Sequence, residues 1–256
     1  MAKIIAIANQ KGGVGKTTTA VNLSGALAYL GRKVLLIDMD PQGNATRAVG
    51  CDAALVEVSL YHVLTGQENI ENVIKPTSLR NMSILPASME LAGADLEMAS
   101  AFEDRQDRLK KQLERVEHNY DYVIIDCPPS LGLLNVNALV AANSVLVPLQ
   151  CEYFAMEGLA QLLSTIRKLQ QTKNPDLEIE GVLLTMADFR TRFSNEVAQE
   201  IRKFFKEKVY QTAIPRSVKL AEAPSRGKTI VEYSVNSKGG VAYIDLAREV
   251  ILRGKK

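Results

Sequence analysis

The sequence has no tryptophan, only two histidines and three cysteines among 256 residues, and aromatic residues make up 5% of it. The cysteines, Cys51, Cys127 and Cys151, are odd in number and show no CxxC spacing, which argues against a disulfide framework or a zinc site. No apolar run approaches the roughly 20 residues that span a bilayer, and the N-terminus does not resemble a signal peptide. We therefore expect a cytoplasmic protein, and the scarcity of aromatic residues does not favour base stacking on single-stranded nucleic acid.

A strong net charge is also absent, but the charge is unevenly distributed along the chain. The protein carries 31 Lys plus Arg and 29 Asp plus Glu, a formal net charge of +2. Residues 1–187 hold 16 basic and 21 acidic side chains, whereas residues 188–256 hold 15 basic and 8 acidic ones. This split predicts a positively charged surface contributed by the C-terminal part of the chain.

Short apolar runs alternate with helical patterns from end to end, which predicts an α/β fold with a mostly parallel, twisted sheet and helices on both faces. The predicted strands are Lys3–Ala8, Lys33–Met39, Met82–Leu85, Tyr122–Asp126, Ser144–Leu149, Gly181–Thr185 and Val209–Ile214. The predicted helices are Thr17–Leu30, Gln106–His118, Glu157–Gln171, Asn195–Lys206 and Gly240–Leu252. No repeat or linker divides the chain, so residues 1–256 are predicted to form a single domain, in which Gly50–Met98 gives no clear pattern.

The first strand runs directly into a glycine-rich loop and then a helix. The loop reads Asn9-Gln10-Lys11-Gly12-Gly13-Val14-Gly15-Lys16-Thr17-Thr18. Glycines allow consecutive backbone N–H groups to surround phosphate oxygens, and a helix N-terminus favours an anion. Lys16 is predicted to reach the β- and γ-phosphates of a nucleotide, Thr17 to coordinate Mg²⁺, and Thr18 to hold the α-phosphate. The alternative, a chance glycine-rich turn, does not explain why strand, loop, Lys-Thr pair and helix occur in this order.

The loop departs from the general pattern G-x-x-x-x-G-K-[ST], because Gln10 replaces the first glycine and Lys11 precedes the next two. The form K-G-G-x-G-K-T-T resembles the deviant Walker A motif of the ParA/MinD family of P-loop ATPases, and the remaining motifs match that family in order over essentially the whole chain. The contacts to ATP or ADP that the resemblance implies in this loop are Lys11, Gly12, Gly13, Val14, Gly15, Lys16, Thr17 and Thr18. It also implies that Lys11 reaches the phosphates of a partner subunit in a nucleotide-sandwich dimer, where a lysine in trans would stabilise developing charge. The alternative for Lys11 is a solvated loop lysine.

Two predicted strands end in acidic residues. Asp38 and Asp40 lie at the end of Lys33–Met39, and Asp126 ends Tyr122–Asp126. Because ligands bind at the carboxyl ends of strands in an open parallel sheet, these residues should face the glycine-rich loop. Asp126 is predicted to hold Mg²⁺ through water, and Asp40 resembles the switch I aspartate that orients the attacking water. Asp38 would support the loop lysine or the metal shell, and the alternative for each residue is an aspartate that begins a turn.

The adenine contacts are weakly specified by the sequence. The strand Val209–Ile214 leads into the turn Pro215-Arg216-Ser217. The resemblance places the base against this turn, with Pro215 and Ser217 as the candidate contacts. A turn that only closes a strand is the alternative.

The basic surface is predicted to lie in residues 188–228, which hold ten basic and five acidic side chains. Such a patch would neutralise phosphates without reading bases, giving salt-sensitive binding to DNA of any sequence. A solvated positive face is the alternative, but the resemblance favours DNA because chromosomal ParA proteins of the Soj type bind it non-specifically as ATP-bound dimers. Arg190 and Lys219 match the positions of the family's DNA-contacting residues, and Arg192 and Arg216 are candidates from the same patch.

Two alternative functions are disfavoured by particular residues. A metal-cluster ATPase similar to the nitrogenase iron protein would use Cys127, but it needs two paired cysteines from each chain and the other two lack recognisable spacing. A non-catalytic, nucleotide-gated scaffold is disfavoured because the catalytic set is intact: Lys16, Thr17, Asp40 and Asp126. Cys127 is therefore interpreted as a small packed residue behind the switch.

The remaining alternatives differ in the surface to which the dimer binds. A MinD-like ATPase, which positions division or other cargo on a membrane, needs a C-terminal amphipathic helix, whereas residues 251–256 follow directly on a helix that the core should use. We therefore predict an Mg²⁺-dependent ATPase of the ParA/Soj type, cytoplasmic and nucleoid-associated, with no membrane partner. ATP would close its homodimer on double-stranded DNA, and a ParB-type protein would stimulate hydrolysis.

Overall fold

The computed structural model describes residues 1–52, 56–130, 132–152 and 157–254, in which strands and helices alternate. The strands are β1 Lys3–Ile7, β2 Val34–Asp38, β3 Lys75–Pro76, β4 Met82–Leu85, β5 Tyr122–Asp126, β6 Ser144–Gln150, β7 Glu178–Ala187 and β8 Val209–Pro215. The helices are α1 Lys16–Tyr29, α2 Asn44–Ala48, α3 Leu60–Leu64, α4 Ile70–Val73, α5 Leu91–Ala101, α6 Arg108–Leu113, α7 Leu133–Ala141, α8 Glu157–Thr172, α9 Arg192–Phe205, α10 Val218–Glu222, α11 Ile230–Ser234 and α12 Lys238–Arg253. Short 3₁₀ turns span Glu117–Asn119, Lys206–Lys208 and Ala223–Arg226.

The strands form one sheet in the order β3-β4-β2-β5-β1-β6-β7-β8. Every pairing is parallel except that of β3 with β4. Successive residues of β1 face opposite apolar layers, Ile4 and Ala6 one layer and Ile5 and Ile7 the other. The predicted mostly parallel sheet with helices on both faces is confirmed. Because the strands are parallel, the carboxyl ends of β1, β2, β5, β6, β7 and β8 lie at one edge, where the site is built.

The predicted strands are all present, with bounds that differ by one to three residues or not at all. The extra strand, β3, has only two residues and includes Pro76, so no alternating apolar pattern could reveal it. It pairs antiparallel with β4 at the end of the sheet, where a proline without an N–H group is tolerated.

One predicted helix, Gln106–His118, is too long. The structure has α6 over Arg108–Leu113 and a separate 3₁₀ turn at Glu117–Asn119. The chain leaves helical geometry at Val116, whose φ is −123°, and the Val116 side chain is buried. The last turn after Leu113 is closed by i−3 hydrogen bonds, Arg115 N to the Gln112 carbonyl and Val116 N to the Leu113 carbonyl, and the helix goes no further.

The segment Gly50–Met98, which gives no clear sequence pattern, contains α3, α4, β3, β4 and most of α5; residues 53–55 within it lie outside the described residues. A capping box begins α3, in which the Ser59 hydroxyl accepts from Tyr61 N at 3.3 Å and Ser59 N donates to His62 Nδ1 at 3.3 Å. The Ser59 and Ser88 hydroxyls are 2.8 Å apart, which ties this helix to the chain that follows β4. Short elements joined by such local bonds explain why no long period appears.

Candidate functional site

The glycine-rich loop lies between β1 and α1, at the carboxyl edge of the sheet. Gly13 and Gly15 have φ angles of 74° and 88°, a region that glycine adopts without steric cost. A Cβ atom added to Gly12 or Gly13 would meet no atom within 4 Å, so the loop borders open space and not packed side chains. The loop and the first turn of α1 thus form a cradle in which backbone amides can bind an anion.

Side chains at the ends of β6 and β7 hold this loop in place. The Thr185 hydroxyl donates to the Val14 carbonyl at 2.8 Å, and Gln150 Nε2 donates to the Gly13 carbonyl at 3.0 Å. Asn9 Nδ2 donates to the Pro148 carbonyl at 2.7 Å. The sequence analysis missed Gln150 and Thr185, although both are polar residues at the end of apolar strands, the signal that identified Asp126.

The two loop lysines have different environments. Lys16 is 7% exposed, and its Nζ donates to the Lys11 carbonyl at 3.2 Å. Burial lowers the pKa of Lys16, while the nearby carboxylates of Asp126 and Asp40 oppose that shift, which shows that the ammonium lies among them. Lys11 is half-buried, and its Nζ forms an ion pair with Glu152 Oε2 at 3.1 Å. Lys16 thus belongs to the interior of the site, whereas Lys11 lies at its surface.

Asp126 is a fully buried carboxylate at the end of β5, paired in register with Asp38 of β2. Among the described residues, neither of its oxygens has a hydrogen-bond partner of good geometry. Burial raises the pKa of Asp126 well above its usual range, the charge of Asp38 raises it further, and the Thr17 hydroxyl and Lys16 oppose the shift. Since an unpaired buried carboxylate is costly, this arrangement fits a site where a cation completes the charge balance.

Asp38 is equally buried, but its oxygens are well occupied. Oδ1 accepts from Asp40 N at 3.1 Å, and Oδ2 accepts from both Thr46 N and the Thr46 hydroxyl at 2.7 Å. Burial raises the pKa of Asp38 to about 6, although the hydrogen bonds from Thr46 and Asp40 lower it. The Thr46 hydroxyl also accepts from Ala87 N at 3.0 Å. Asp38 therefore joins β2, α2 and the chain after β4 around the loop that carries Asp40.

Asp40 is partly exposed and begins a turn. Its Oδ1 accepts from Gln42 N at 2.9 Å, and its carbonyl accepts from Gly43 N at 2.8 Å. The turn that was the alternative for this aspartate is therefore present. It does not exclude a role in hydrolysis, because the Asp40 charge also acts on Lys16 across the site.

Side chains of this chain alone do not make a complete cation site. Within the described ranges, no group of three or more His, Cys, Asp or Glu side chains is placed to hold a metal ion. The oxygens near the cradle include those of Thr17 and Asp126, a donor set that suits Mg²⁺ when phosphate oxygens and water supply the rest. Cys127 is buried, and burial raises the pKa of its thiol, as expected for a packed residue and not for a metal ligand.

A cavity of about 250 Å³ adjoins the cradle on the β7 and β8 side. It is lined by Gly15, Thr18, Thr185, Met186, Ile214, Pro215, Arg216, Ser217, Leu220, Ala221 and Tyr243. The structure therefore brings Pro215 and Ser217 next to the loop, as the adenine prediction requires. Arg216, proposed from the sequence for DNA, also lines this cavity. Sequence reasoning missed Met186 and Tyr243, and Tyr243 carried no signal because α12 is distant in the chain and reads as core.

The four predicted DNA contacts lie on loops and helix starts at the same end of the sheet. The side chains of Arg190, Arg192 and Lys219 are 89%, 94% and 51% exposed. Each is paired with a nearby carboxylate, at 2.6 Å for Arg190 with Asp188, 2.9 Å for Arg192 with Glu196 and 2.8 Å for Lys219 with Glu222. Arg216 is exposed as well. The predicted basic surface is therefore accessible, but its charges are partly neutralised within the chain.

Known proteins resemble this chain over most of its length. Residues 2–179 match the family model described as an AAA domain. The chain is 55% identical over 254 residues, 99% of its length and all of the relative's, to the sporulation initiation inhibitor protein Soj of Bacillus subtilis. It is 49% identical to the chromosome partitioning protein ParA of Myxococcus xanthus, covering 98% of this chain and 88% of that one. A solved cobyrinic acid a,c-diamide synthase from Mycobacterium smegmatis, with bound ADP and magnesium, has a TM-score of 0.88 at 39% identity and covers 100% and 96% of the two chains.

In the part of the chain that the structure describes, no helix combines the length and the apolar character needed to cross a bilayer. The apolar face of α12 packs into the core through Tyr243, Leu246 and Val250.

Proposed function

The chain belongs to the ParA/Soj family of chromosome-partitioning ATPases, and on that basis we propose that it works as an ATP-gated dimer that binds DNA without sequence preference. In this proposal residues 1–256 act as one domain, and a ParB-type partner stimulates hydrolysis and release. The observation that carries the nucleotide site is the open glycine cradle at the start of α1, next to the buried carboxylate of Asp126.

The phosphates are proposed to lie in the cradle formed by Gly12, Gly13, Val14 and Gly15. Lys16 would exchange the Lys11 carbonyl, 3.2 Å away, for a β- or γ-phosphate oxygen, a stronger charge-assisted partner. The amides of the first turn of α1, with Thr18, would bind the α-phosphate. The base would occupy the cavity lined by Pro215 and Ser217, where apolar walls and few polar groups suit a purine ring.

Thr17 and Asp126 are proposed to hold Mg²⁺, Thr17 directly and Asp126 through water. When bound, the ion would supply positive charge to the β- and γ-phosphate oxygens. The unpartnered oxygens of Asp126 support this assignment, because they can accept hydrogen bonds from coordinated water without breaking any contact within the chain. The solved relative with bound ADP and magnesium also supports it.

Asp40 and Lys11 are proposed to complete the hydrolytic site. A carboxylate oxygen of Asp40 would accept a hydrogen bond from the attacking water and orient it, while Asp38 holds the Asp40 backbone through the 3.1 Å bond. Lys11 would leave Glu152 and reach the phosphates of the partner subunit. Because exposed ion pairs contribute little stability, breaking the pair with Glu152 should cost little free energy.

The exposed cations Arg190, Arg192, Arg216 and Lys219 are proposed to contact DNA phosphates. Dimerisation would bring two such surfaces together, so that ATP controls DNA affinity by controlling the dimer. A protein of this kind would be cytoplasmic and associated with the nucleoid.

Co-sedimentation with DNA and with liposomes, each in ATP and in ADP, tests the proposal directly. We expect ATP-dependent pelleting with DNA of unrelated sequences and none with liposomes that contain anionic lipid. Pelleting with liposomes instead of DNA would favour the MinD-like alternative. Binding that is the same in ATP and ADP would contradict nucleotide control.

A further inference from the structure

A carboxylate pairs with one of the predicted DNA-binding arginines. Asp188 Oδ1 accepts from Arg190 Nε at 2.7 Å, and Asp188 Oδ2 accepts from Arg190 Nη2 at 2.6 Å, a bidentate pair. Oδ1 also accepts from the Arg190 backbone N at 3.2 Å. Arg216 is close enough for its charge to act on the same carboxylate. Asp188 is thus an anion held by one candidate phosphate contact, Arg190, and it lies in the field of a second, Arg216.

The same arrangement recurs around α10. Glu222 Oε2 accepts from Lys219 Nζ at 2.8 Å and from the Tyr233 hydroxyl at 2.9 Å. The charge of Arg226 acts on this carboxylate as well. Lys219 Nζ is also 5.4 Å from the centroid of the Tyr233 ring. Two separate segments of the basic surface therefore each pair an acid with a cation that is a candidate for phosphate contact.

A DNA phosphate would need the position that each carboxylate now holds. The Nε and Nη2 N–H groups of Arg190 suit a phosphate as well as a carboxylate, so this edge of the guanidinium cannot bind both at once. When a phosphate displaces Asp188, the freed carboxylate stays within reach and repels it. The cations hold the pKa of Asp188 down to about 2 and lower that of Glu222, so both acids are charged at neutral pH.

We propose that Asp188 and Glu222 act as internal competitors of DNA, occupying the phosphate positions of the basic surface and thereby limiting its affinity. The inference rests on the proposed DNA binding and names what regulates that surface. Since Arg190 is 89% exposed, DNA can reach the pair without any unfolding, and the competition is one of simple exchange. A moderate affinity favours a protein that must leave DNA again after hydrolysis.

The test compares Asp188→Asn and Glu222→Gln with a matched control. Glu71→Gln removes the same charge from an exposed pair of the same kind, Glu71 with Arg115 at 2.8 Å, which belongs to α4 and the turn after α6 and not to residues 188–228. Affinity for a short duplex of arbitrary sequence is measured by fluorescence anisotropy, with Mg²⁺ and a non-hydrolysable ATP analogue. We expect each acid variant to bind about two- to five-fold more tightly than the control at low salt, the range typical of exposed ion pairs. The advantage should shrink at high salt.

A double-mutant cycle separates competition at Arg190 from a general charge effect. On the Arg190→Ala background, Asp188→Asn should change affinity no more than Glu71→Gln does, because the cation for which Asp188 competes is gone. An equal gain on both backgrounds would overturn the proposal. The proposal would also be overturned if the acid variants bound DNA no more tightly than the control. In that case a loss of affinity in Arg190→Ala would still support the proposed DNA-binding surface. If neither the wild type nor the acid variants bind DNA with the ATP analogue, both proposals fail.

Discussion

Replacing the buried carboxylate of Asp126 by an amide is expected to stabilise the nucleotide-free protein while removing its response to Mg²⁺. Both carboxylate oxygens lack a partner among the described residues, and the side chain is 0% exposed. An unsatisfied buried polar group costs about 1–3 kcal/mol, and a charged one costs more. Asp126→Asn keeps the shape of the side chain and removes its charge, so we expect a gain of about 1–3 kcal/mol.

Thermal unfolding measures this gain directly. For a chain of this size, 1 kcal/mol corresponds to about 2–4 °C in Tm, so the variant should melt about 2–12 °C above the wild type in EDTA. Adding Mg²⁺ and a non-hydrolysable ATP analogue at about 100 times Kd should stabilise the wild type by about 2.7 kcal/mol. The variant should lose the part of this response that depends on Mg²⁺, because an amide does not replace a carboxylate in holding coordinated water.

The control is the same substitution at a carboxylate whose hydrogen bonds are complete. Asp95 accepts from Leu133 N at 3.2 Å and Leu134 N at 3.1 Å, at the start of α7. Asp95→Asn should lower stability, because a negative charge and an acceptor are lost at a helix N-terminus. If Asp126→Asn lowers the Tm in EDTA as Asp95→Asn does, the argument from uncompensated burial is wrong. An unchanged response to Mg²⁺ would refute the assignment of Asp126 to the metal.

Three further outcomes are expected. Lys11→Ala should abolish the ATP-dependent dimer on size-exclusion chromatography. Glu152→Gln removes only the ion-pair partner of Lys11, 3.1 Å away, and should leave the dimer intact. If Lys11→Ala still dimerises with ATP, the role of Lys11 in trans is ruled out. Asp40→Ala should trap an ATP-bound dimer that still binds DNA, and a variant that stays monomeric with ATP would contradict this role. Burial raises the pKa of Asp38 to about 6, so between about pH 4 and 7 the folded state still holds a proton that the unfolded state has already lost. As the pH rises through this range, the wild type should therefore lose stability relative to Asp38→Asn. Urea unfolding in EDTA should show that relative loss as about 3 kcal/mol, and a difference that does not vary with pH would refute it.

The phosphate loop could be predicted because everything it requires is contiguous. A strand, a run of glycines, a Lys-Thr pair and a helix follow one another within about one βα unit, and each has a local physical reason. The acidic strand ends were predictable for a related reason, since parallel strands bring their carboxyl ends to one edge whatever their order in the sheet. The pairing of Asp38 with Asp126 needs more, because it depends on β2 and β5 being neighbours in the sheet.

The cavity beside the loop could not be assembled in this way. Its walls come from the end of β7, the turn after β8 and the middle of α12, and no spacing relates Met186 to Tyr243. Pro215 and Ser217 were named from family resemblance alone. The missing hydrogen bonds of Asp126 could not be predicted either, because the sequence shows a carboxylate but not whether its oxygens have hydrogen-bond partners.

The charge available to DNA on the basic surface was overestimated from the sequence, although the residues that pair there can be read from it. The excess of cations in residues 188–228 counts every charge as available, but affinity for DNA depends on the charges that the chain leaves unpaired. Asp188, Glu196, Glu200 and Glu222 each pair with a cation two to four residues away. Such spacings place the partners on one turn or one helix face and are readable in the sequence. A basic segment should therefore be judged by its local pairings before its net charge, because four of the five acids here neutralise their own neighbours and make the surface weaker than its composition indicates.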